Sequence, residues 1–123
     1  MLKIASTPPS PPYYVVIFTS RRSKEYLENP AYQEDYAATI KEMLELAAQQ
    51  PGFLGVETAR DQIGLNCSYW RDYASIVAWR NNARHKIAQA KGKTLWYSEF
   101  ITRVGLVERQ EDSSSPDALF LPS

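Results

Sequence analysis

The sequence predicts an α+β fold in which strands and helices follow one another in the order β-α-β-β-α-β, the ferredoxin-like arrangement. Short stretches rich in β-branched and aromatic residues indicate the strands, and apolar residues at helical spacing indicate the helices. The first and last strands are apolar on both faces, so both faces of the sheet should be covered. A length of 123 residues fits one domain with one core.

The first half of the chain contains the clearest secondary-structure signals. Residues 13–20 are β-branched and aromatic and predict the first strand. Asn29 can cap the helix that follows, and Pro30 suits its first position. Pro51 and Gly52 should end this helix. Its apolar face is expected to comprise Tyr32, Tyr36, Ile40, Met43, Leu44 and Ala47.

The second half predicts a hairpin, a helix and a last strand. Residues 53–60 and 65–70 are expected to pair across the turn between them. The following helix should break at Asn81–Asn82 and end at Gly92. Residues 97–109 then form the last long strand.

The first and last strands predict a homodimer. Helices of one chain can cover only one face of the sheet, yet both faces are apolar. A second sheet should cover the other face, most simply that of an identical subunit. The residues that point one way are Val15, Ile17, Ile101 and Val107, and those that point the other way are Tyr14, Val16, Phe18, Phe100, Val104 and Leu106.

The ends of the chain are expected to lie outside this domain. Residues 1–12 are a Pro-rich extension, residues 13–109 the folded domain, and residues 110–123 a C-terminal tail. The tail ends in Leu119, Phe120 and Leu121. Those residues form either a loose end or a hydrophobic clip onto a partner subunit.

Composition excludes several classes of protein. The 14 Lys and Arg residues balance 14 Asp and Glu, which argues against nucleic acid and anionic membrane as partners. The sequence contains one cysteine, Cys67, and one histidine, His85. We therefore expect neither a disulfide nor a metal site, and we expect the protein to be cytoplasmic. The longest apolar run, residues 13–18, is too short to span a bilayer, and the proline-broken start does not resemble a signal peptide. A Gly-rich turn between a strand and a helix would indicate a flavin or nicotinamide cofactor, and the sequence contains no such turn.

An ordered set of residues resembles the antibiotic biosynthesis monooxygenase family. The set runs through the hairpin, the second helix and the start of the last strand, and the resemblance covers residues 13–109. It comprises Pro51, Gly52, Phe53, Gly55, Glu57, Ser68, Tyr69, Trp70, Trp79, His85, Gly92, Trp96 and Tyr97. The resemblance implies a dimeric α+β barrel. Characterised members of the family that it resembles oxidise phenolic or anthrone-like compounds with O₂ alone, open haem or act on quinols.

Six residues are candidates for the site, and each has a structural alternative. His85 is either a general base or a residue that fixes the break in the helix through a hydrogen bond. Arg103 would stabilise a phenolate or enolate, or form an ion pair with Glu57 or Glu99. The candidates for substrate binding are Asn66, Tyr69, Trp79 and Trp96, whose alternative roles are core, strand-edge or dimer packing.

Together with these residues, the resemblance implies a cofactor-independent monooxygenase of a small aromatic, polyketide-like or quinol compound. The alternatives are a dimeric binding module for a hydrophobic ligand or, less favoured, a haem-binding protein. Haem-degrading members of the family have an Asn in the first strand and a His in the later helix. In this sequence the Asn position falls near Thr19 or Ser20, and the His position falls near Gln89. Neither feature is present, which argues against haem degradation of that kind.

Overall fold

A computed structural model describes residues 9–112 of the chain. Within that range no helix is long and apolar enough to cross a membrane. The C-terminal Leu119–Leu121 segment lies outside the described residues, so its two interpretations stay open.

The element order is the predicted one, with one additional short helix. The elements are β1 (Tyr13–Arg22), α1 (Lys24–Glu28), α2 (Pro30–Ala48), β2 (Phe53–Arg60), β3 (Gly64–Trp70), α3 (Tyr73–Arg80), α4 (Ala83–Lys91), a π-helical turn (Gly92–Trp96) and β4 (Tyr97–Val107). Asn29 caps α2 by accepting a hydrogen bond from the backbone N–H of Ala31, and Pro30 is the first helical residue. The break at Asn81–Asn82 is also confirmed, because the Asn82 side chain caps α4.

The four strands form one antiparallel sheet in the order β2-β3-β1-β4. This order, with helices on one side, confirms the ferredoxin-like α+β fold. The register places Val56, Ser68, Val16 and Val104 in one row across the sheet. Side chains alternate between the two faces, so every second row points to the same side.

The helices pack on the face that carries Trp70, which we call the helical face. Trp70 is 1% exposed, and its ring packs against Phe53 of β2 and Trp79 of α3. The face that carries Tyr69 and Ile17 points away from the helices, and we call it the open face. The core therefore lies between one face of the sheet and the helical layer.

Strand β4 remains exposed on both faces. Ile101 on the open face is 46% exposed, and Val104 on the helical face is 45% exposed. The expectation that helices cover one whole face is therefore wrong for this edge strand. The helical layer lies over the other strands and leaves β4 uncovered.

Three local features differ from the sequence prediction. Helix α1 was not expected, because it is too short to show a periodic pattern in the sequence. Ser23 caps it by accepting a hydrogen bond from the Tyr26 N–H. Gly92 does not stop the second helical segment, since its φ of −57° is helical and the chain continues as a π-helical turn to Trp96. Strand β1 extends beyond Ser20 to Arg22.

A register shift beside Arg22 changes which way Tyr97 points. Arg21 pairs with Glu99, whereas Arg22 pairs with Tyr97, so Ser98 is the extra residue of a β-bulge. Without the bulge, Tyr97 would share the open face with Glu99. The bulge turns it to the helical face, where its ring contacts Phe18 at 5.3 Å between centroids.

Candidate functional site

Arg60 crosses the helical face from β2 to β1. It pairs with Gly64 of β3, which in turn pairs with Ser20 of β1. The guanidinium lies directly over Gly64, because a Cβ added there would be 1.9 Å from Arg60 Nη2. Nη2 then donates a hydrogen bond of 2.6 Å to Ser20 Oγ, which is buried. The missing side chain of Gly64 is therefore what gives Arg60 its position.

Arg22 lies against aromatic rings at the same end of the sheet. Its Cζ is 3.9 Å from the ring centroid of Tyr36 and 4.2 Å from that of Tyr26. Tyr97 is the third ring, 5.8 Å away. Guanidinium groups stack favourably on aromatic faces, so these contacts hold the planar group in place.

Among residues 9–112, three buried donors in this region have no hydrogen-bond partner: Arg22 Nη1, Arg60 Nη1 and Trp96 Nε1. Trp96 is 2% exposed, and its ring contacts Tyr36 edge-on at 5.1 Å. Buried donors normally have an acceptor, because desolvation without a hydrogen bond costs about 1–3 kcal/mol per group. Three such donors in one region favour the binding of a hydrogen-bond acceptor there.

The charge of this region is positive and uncompensated. The ion pairs formed among residues 9–112 involve neither Arg22 nor Arg60. Burial lowers the pKa of the Arg60 guanidinium, and the nearby charge of Arg22 lowers it further. Guanidinium groups nevertheless stay protonated in proteins. The two residues, which we call the arginine pair, therefore favour an anion.

An aromatic wall continues from the arginine pair along the sheet. Phe18 stacks on Phe100 at 5.7 Å, and Tyr97 packs against both rings. Burial raises the pKa of the Tyr97 hydroxyl, and the neighbouring Tyr36 raises it further, so Tyr97 is a neutral phenol at pH 7. The region thus combines apolar ring faces with a concentrated positive charge.

Two of the six predicted site residues belong to this region. Trp96 supplies one of the unpaired donors. Asn66 lies two positions after Gly64 on β3 and faces the same side, in the row of Phe18 and Thr102. The candidate site therefore comprises Arg22, Arg60, Trp96, Asn66 and the aromatic wall.

Trp79 and His85 form a separate stack at the junction of α3 and α4. Their rings are 4.3 Å apart and nearly parallel, and Trp79 also stacks on Trp70 at 6.3 Å. His85 Nδ1 lies 3.0 Å from the carbonyl oxygen of Trp79, so it donates a hydrogen bond there. Burial lowers the pKa of His85, although this hydrogen bond opposes the shift. This geometry fits the structural alternative for His85, in which the histidine fixes the break in the helix through a hydrogen bond.

Tyr69 and Arg103 lie on the open face, opposite Asn66. The Tyr69 hydroxyl donates a short hydrogen bond to the Glu57 carboxylate, and burial raises the pKa of Tyr69. Glu99, a suggested partner of Arg103, instead pairs with Arg21 at 3.0 Å. Arg103 itself is exposed. Within one chain, Tyr69 and Arg103 therefore cannot act on a substrate bound at the helical face.

A shallow cleft of about 370 Å³ lies at the same end of the sheet. It is lined by Thr19, Ser20, Arg21, Ile63, Glu99, Phe100 and Ile101. Ser20 and Phe100 are also part of the helical-face region, so the cleft borders the candidate site. Among residues 9–112 no cluster of His, Cys, Asp and Glu could hold a metal ion.

Sequence reasoning missed the arginine pair for two reasons. The first strand was expected to end at Ser20, which left Arg22 outside the sheet. Arg60 was read as a strand end, although alternation from Val56 places it on the helical face. The signal that could have identified Arg60 was a basic residue at a strand position that faces the core and lies opposite a glycine.

Comparisons with known proteins agree on one family. The model of the family described as antibiotic biosynthesis monooxygenase matches residues 25–91. The uncharacterized protein YqjZ of Bacillus subtilis is 41% identical over 89% of this chain and 92% of its own length. The jasmonate monooxygenase ABM of Pyricularia oryzae is 31% identical over 76% of this chain and 43% of that protein.

Solved structures share the fold at low sequence identity. SnoaB, a cofactor-independent oxygenase from Streptomyces nogalater, superposes with a TM-score of 0.61 at 12% identity. The match covers 85% of this chain and all of SnoaB (100%). PA3566 from Pseudomonas aeruginosa gives a TM-score of 0.60 at 13% identity over 82% of this chain and 97% of its own.

Proposed function

Since this chain belongs to the antibiotic biosynthesis monooxygenase family, we propose that it is a cofactor-independent monooxygenase. Its substrate would be a small aromatic or quinol-like compound that binds between the helical face and α2. The observation that carries the proposal is the arginine pair, which places positive charge against aromatic rings and forms no ion pair among residues 9–112.

The proposed reaction needs no external reductant. A substrate carbon that bears two hydrogens loses a proton, and the resulting carbanion reacts with O₂ to give a peroxide. Loss of water from the peroxide leaves a carbonyl group, so that R₂CH₂ and O₂ become R₂C=O and H₂O. The substrate supplies the electrons that reduce one oxygen atom to water.

The protein's part in this scheme is to favour the anion. Buried positive charge lowers the pKa of a bound acid, and fixed donors stabilise negative charge in a water-poor site. Arg22 and Arg60 would take the charge-stabilising role that the sequence suggested for Arg103. Asn66 and Trp96 would bind the substrate, as expected from the sequence. His85 would position Trp79, and its role as a general base stays untested.

The family relatives support oxygen chemistry in general terms. One curated relative is named a jasmonate monooxygenase, and one structural neighbour is described as a cofactor-independent oxygenase. Neither name identifies the substrate of this chain. The proposal therefore rests on the site, and the relatives make the reaction class reasonable.

The decisive experiment is oxidation under ¹⁸O₂ of a panel of anthrones and hydroquinones. We expect anthrone-type substrates to yield a ketone that contains one ¹⁸O atom, at a rate above the protein-free control. The purified protein should be active without flavin or haem absorbance. Arg60→Met should lower kcat/KM by about tenfold or more. Arg21→Met, which removes an exposed arginine on the other face, is the matched control and should not.

Failure of every substrate to react would favour the binding-module alternative. A ligand recovered chemically unchanged after aerobic incubation would support that alternative directly. A haem titration that gives a shifted Soret band would instead favour a haem-binding protein.

We also propose that two copies associate through their open faces. Several apolar residues on this face are exposed in the isolated chain, including Leu65 and Ile101, both at 46%. Exposed contiguous apolar surface of this kind usually marks an interface. Ile101→Asp should split or unfold the dimer in sedimentation equilibrium, because it introduces an unpaired carboxylate. A folded monomer of the unaltered protein at micromolar concentration would overturn the proposal.

A further inference from the structure

We propose that Arg22, Arg60 and Trp96 form an anchoring site for a carboxylate. The ligand class of this site is then a hydrophobic carboxylic acid with a flat apolar body. Identifying that ligand as the substrate rests on the function proposed above, whereas the binding site itself does not.

Each guanidinium group is held by contacts with its neighbours, and among residues 9–112 each has one buried N–H group without an acceptor. Arg60 donates Nη2 to Ser20, while its Nη1 is buried without a partner. Arg22 is held through its flat faces by Tyr26 and Tyr36, while its Nη1 is likewise unpaired. Both groups are thus positioned before any ligand binds, which reduces the entropy lost on binding.

The donors converge on one neighbourhood of the helical face. The charges of Arg22 and Arg60 interact, and the rings that influence Arg60 are Tyr26, Tyr36 and Tyr97, the same three that surround Arg22. The Trp96 ring contacts two of these, Tyr36 and Tyr97. All three unpaired N–H donors therefore belong to side chains beside the same cluster of tyrosine rings.

The chemistry of the donors favours a carboxylate over a neutral oxygen. Two positive groups that repel each other in a partly desolvated site are stabilised by a negative ligand. A carboxylate presents two oxygens with about four lone-pair sites, which can accept from several planar N–H donors together. An amide of the same shape carries no charge and offers only one oxygen.

The surroundings favour an apolar body attached to that carboxylate. Phe18, Phe100 and Tyr97 form the continuous aromatic wall beside the arginine pair. Such a wall contributes nothing to a strongly hydrated ion such as inorganic phosphate. An aryl carboxylate would place its charged group on the arginines and its ring on the wall.

Gly64 makes the site sensitive to one methyl group. A Cβ at this position would overlap the Arg60 guanidinium, with Cζ at 2.2 Å and Nε at 2.6 Å. Gly64→Ala should therefore displace Arg60 without changing the charge of the protein. Binding that depends on the position of Arg60, and not only on its charge, will be lost in this variant.

The test is calorimetric binding of 2-naphthoate, 2-naphthamide and inorganic phosphate to the full chain. We expect 2-naphthoate to bind at least about tenfold more tightly than the amide, since charged hydrogen bonds contribute more than neutral ones. Arg22→Met, Arg60→Met and Gly64→Ala should each weaken naphthoate binding by about tenfold or more. Arg21→Met, the neighbour that pairs with Glu99 on the open face, should bind as the unaltered protein does.

The outcomes separate this proposal from the proposed function. Three results would overturn the carboxylate site. The first is equal binding of 2-naphthoate and 2-naphthamide, and the second is phosphate binding as tight as that of naphthoate. The third is naphthoate binding that is undiminished in folded Gly64→Ala. Tight naphthoate binding that requires both arginines supports the site, even if no carboxylic acid is ever oxidised. Oxidation of neutral anthrones without carboxylate binding would leave the monooxygenase standing and reject the carboxylate site.

Discussion

Glu57 and Arg103 lie in one row of the sheet and on the same face, separated by Cys67 and Ile17. The register pairs Glu57 with Cys67, Cys67 with Ile17, and Ile17 with Arg103. The negative and positive charges therefore occupy the two outer strands of the open face. In the proposed dimer, a twofold axis along the strands would place β2 of one copy over β4 of the other and bring each Glu57 towards the partner's Arg103.

This arrangement predicts that charge reversal weakens the dimer and that a double exchange restores it. Arg103→Glu should shift the protein towards monomer, because it places like charges opposite one another in a partly desolvated interface. The double variant Glu57→Arg with Arg103→Glu should recover the dimer to within about tenfold in Kd. Sedimentation equilibrium across a range of protein concentrations measures both.

Arg109→Glu supplies a control of equal charge change, since Arg109 follows the end of β4 and pairs with Glu111. If Arg109→Glu dissociates the dimer as strongly as Arg103→Glu, net charge explains the effect. The specific pairing would then be rejected.

The stability of the fold should depend on the protonation of His85. Burial lowers the pKa of this histidine in the folded state. The unfolded chain therefore binds more protons than the folded chain as pH falls through the unfolded pKa of about 6.5. As the pH falls below about 7, protonation of the unfolded state therefore lowers the free energy of unfolding. This loss continues until the pH reaches the pKa of His85 in the folded state.

The variant His85→Asn isolates this contribution. Asn can place an N–H near the Trp79 carbonyl but does not titrate. Urea unfolding at pH 7.5 and pH 5.5 should give a smaller loss of stability in His85→Asn than in the unaltered protein. The same pH dependence in both proteins would mean that His85 is not held in its neutral form.

Gly52 should be intolerant of any side chain. Its φ is +84°, and an added Cβ would lie 2.1 Å from Oγ of the buried Ser75. Ser75 cannot turn away freely, because Asp72 accepts hydrogen bonds from both its N–H and its Oγ. Gly52→Ala should therefore cost about 3 kcal/mol in the free energy of unfolding, from backbone strain and steric overlap together.

Gly105→Ala provides the contrasting substitution for Gly52→Ala. Among residues 9–112, a Cβ at Gly105 would meet Val15 Cγ1 alone, at an ordinary 3.7 Å. We expect a change of less than about 0.5 kcal/mol in denaturant unfolding, as at most undemanding positions. Equal destabilisation by the two substitutions would show that the contact with Ser75 is not the cause.

Much of the fold followed from the sequence because its signals are local. Asn29 before Pro30 begins α2, and Asn81–Asn82 separates α3 from α4, since each effect depends on only a few neighbouring residues. Of the candidate site, Asn66 and Trp96 were predicted from residue type, and Trp96 also belongs to the family pattern. The short helix α1 was missed, because its capping residue Ser23 is followed by too few residues to show a periodicity.

The arrangement of the candidate site was decided by tertiary structure. The sequence by itself determined the order of elements, the alternation along each strand and the family. It could not show that a bulge at Ser98 turns Tyr97 to the helical face, or that Arg60 passes over Gly64 to reach Ser20. Both depend on strand register, which is set by pairing between segments far apart in the chain. The arginine pair therefore becomes visible only when β1, β2 and β3 lie side by side.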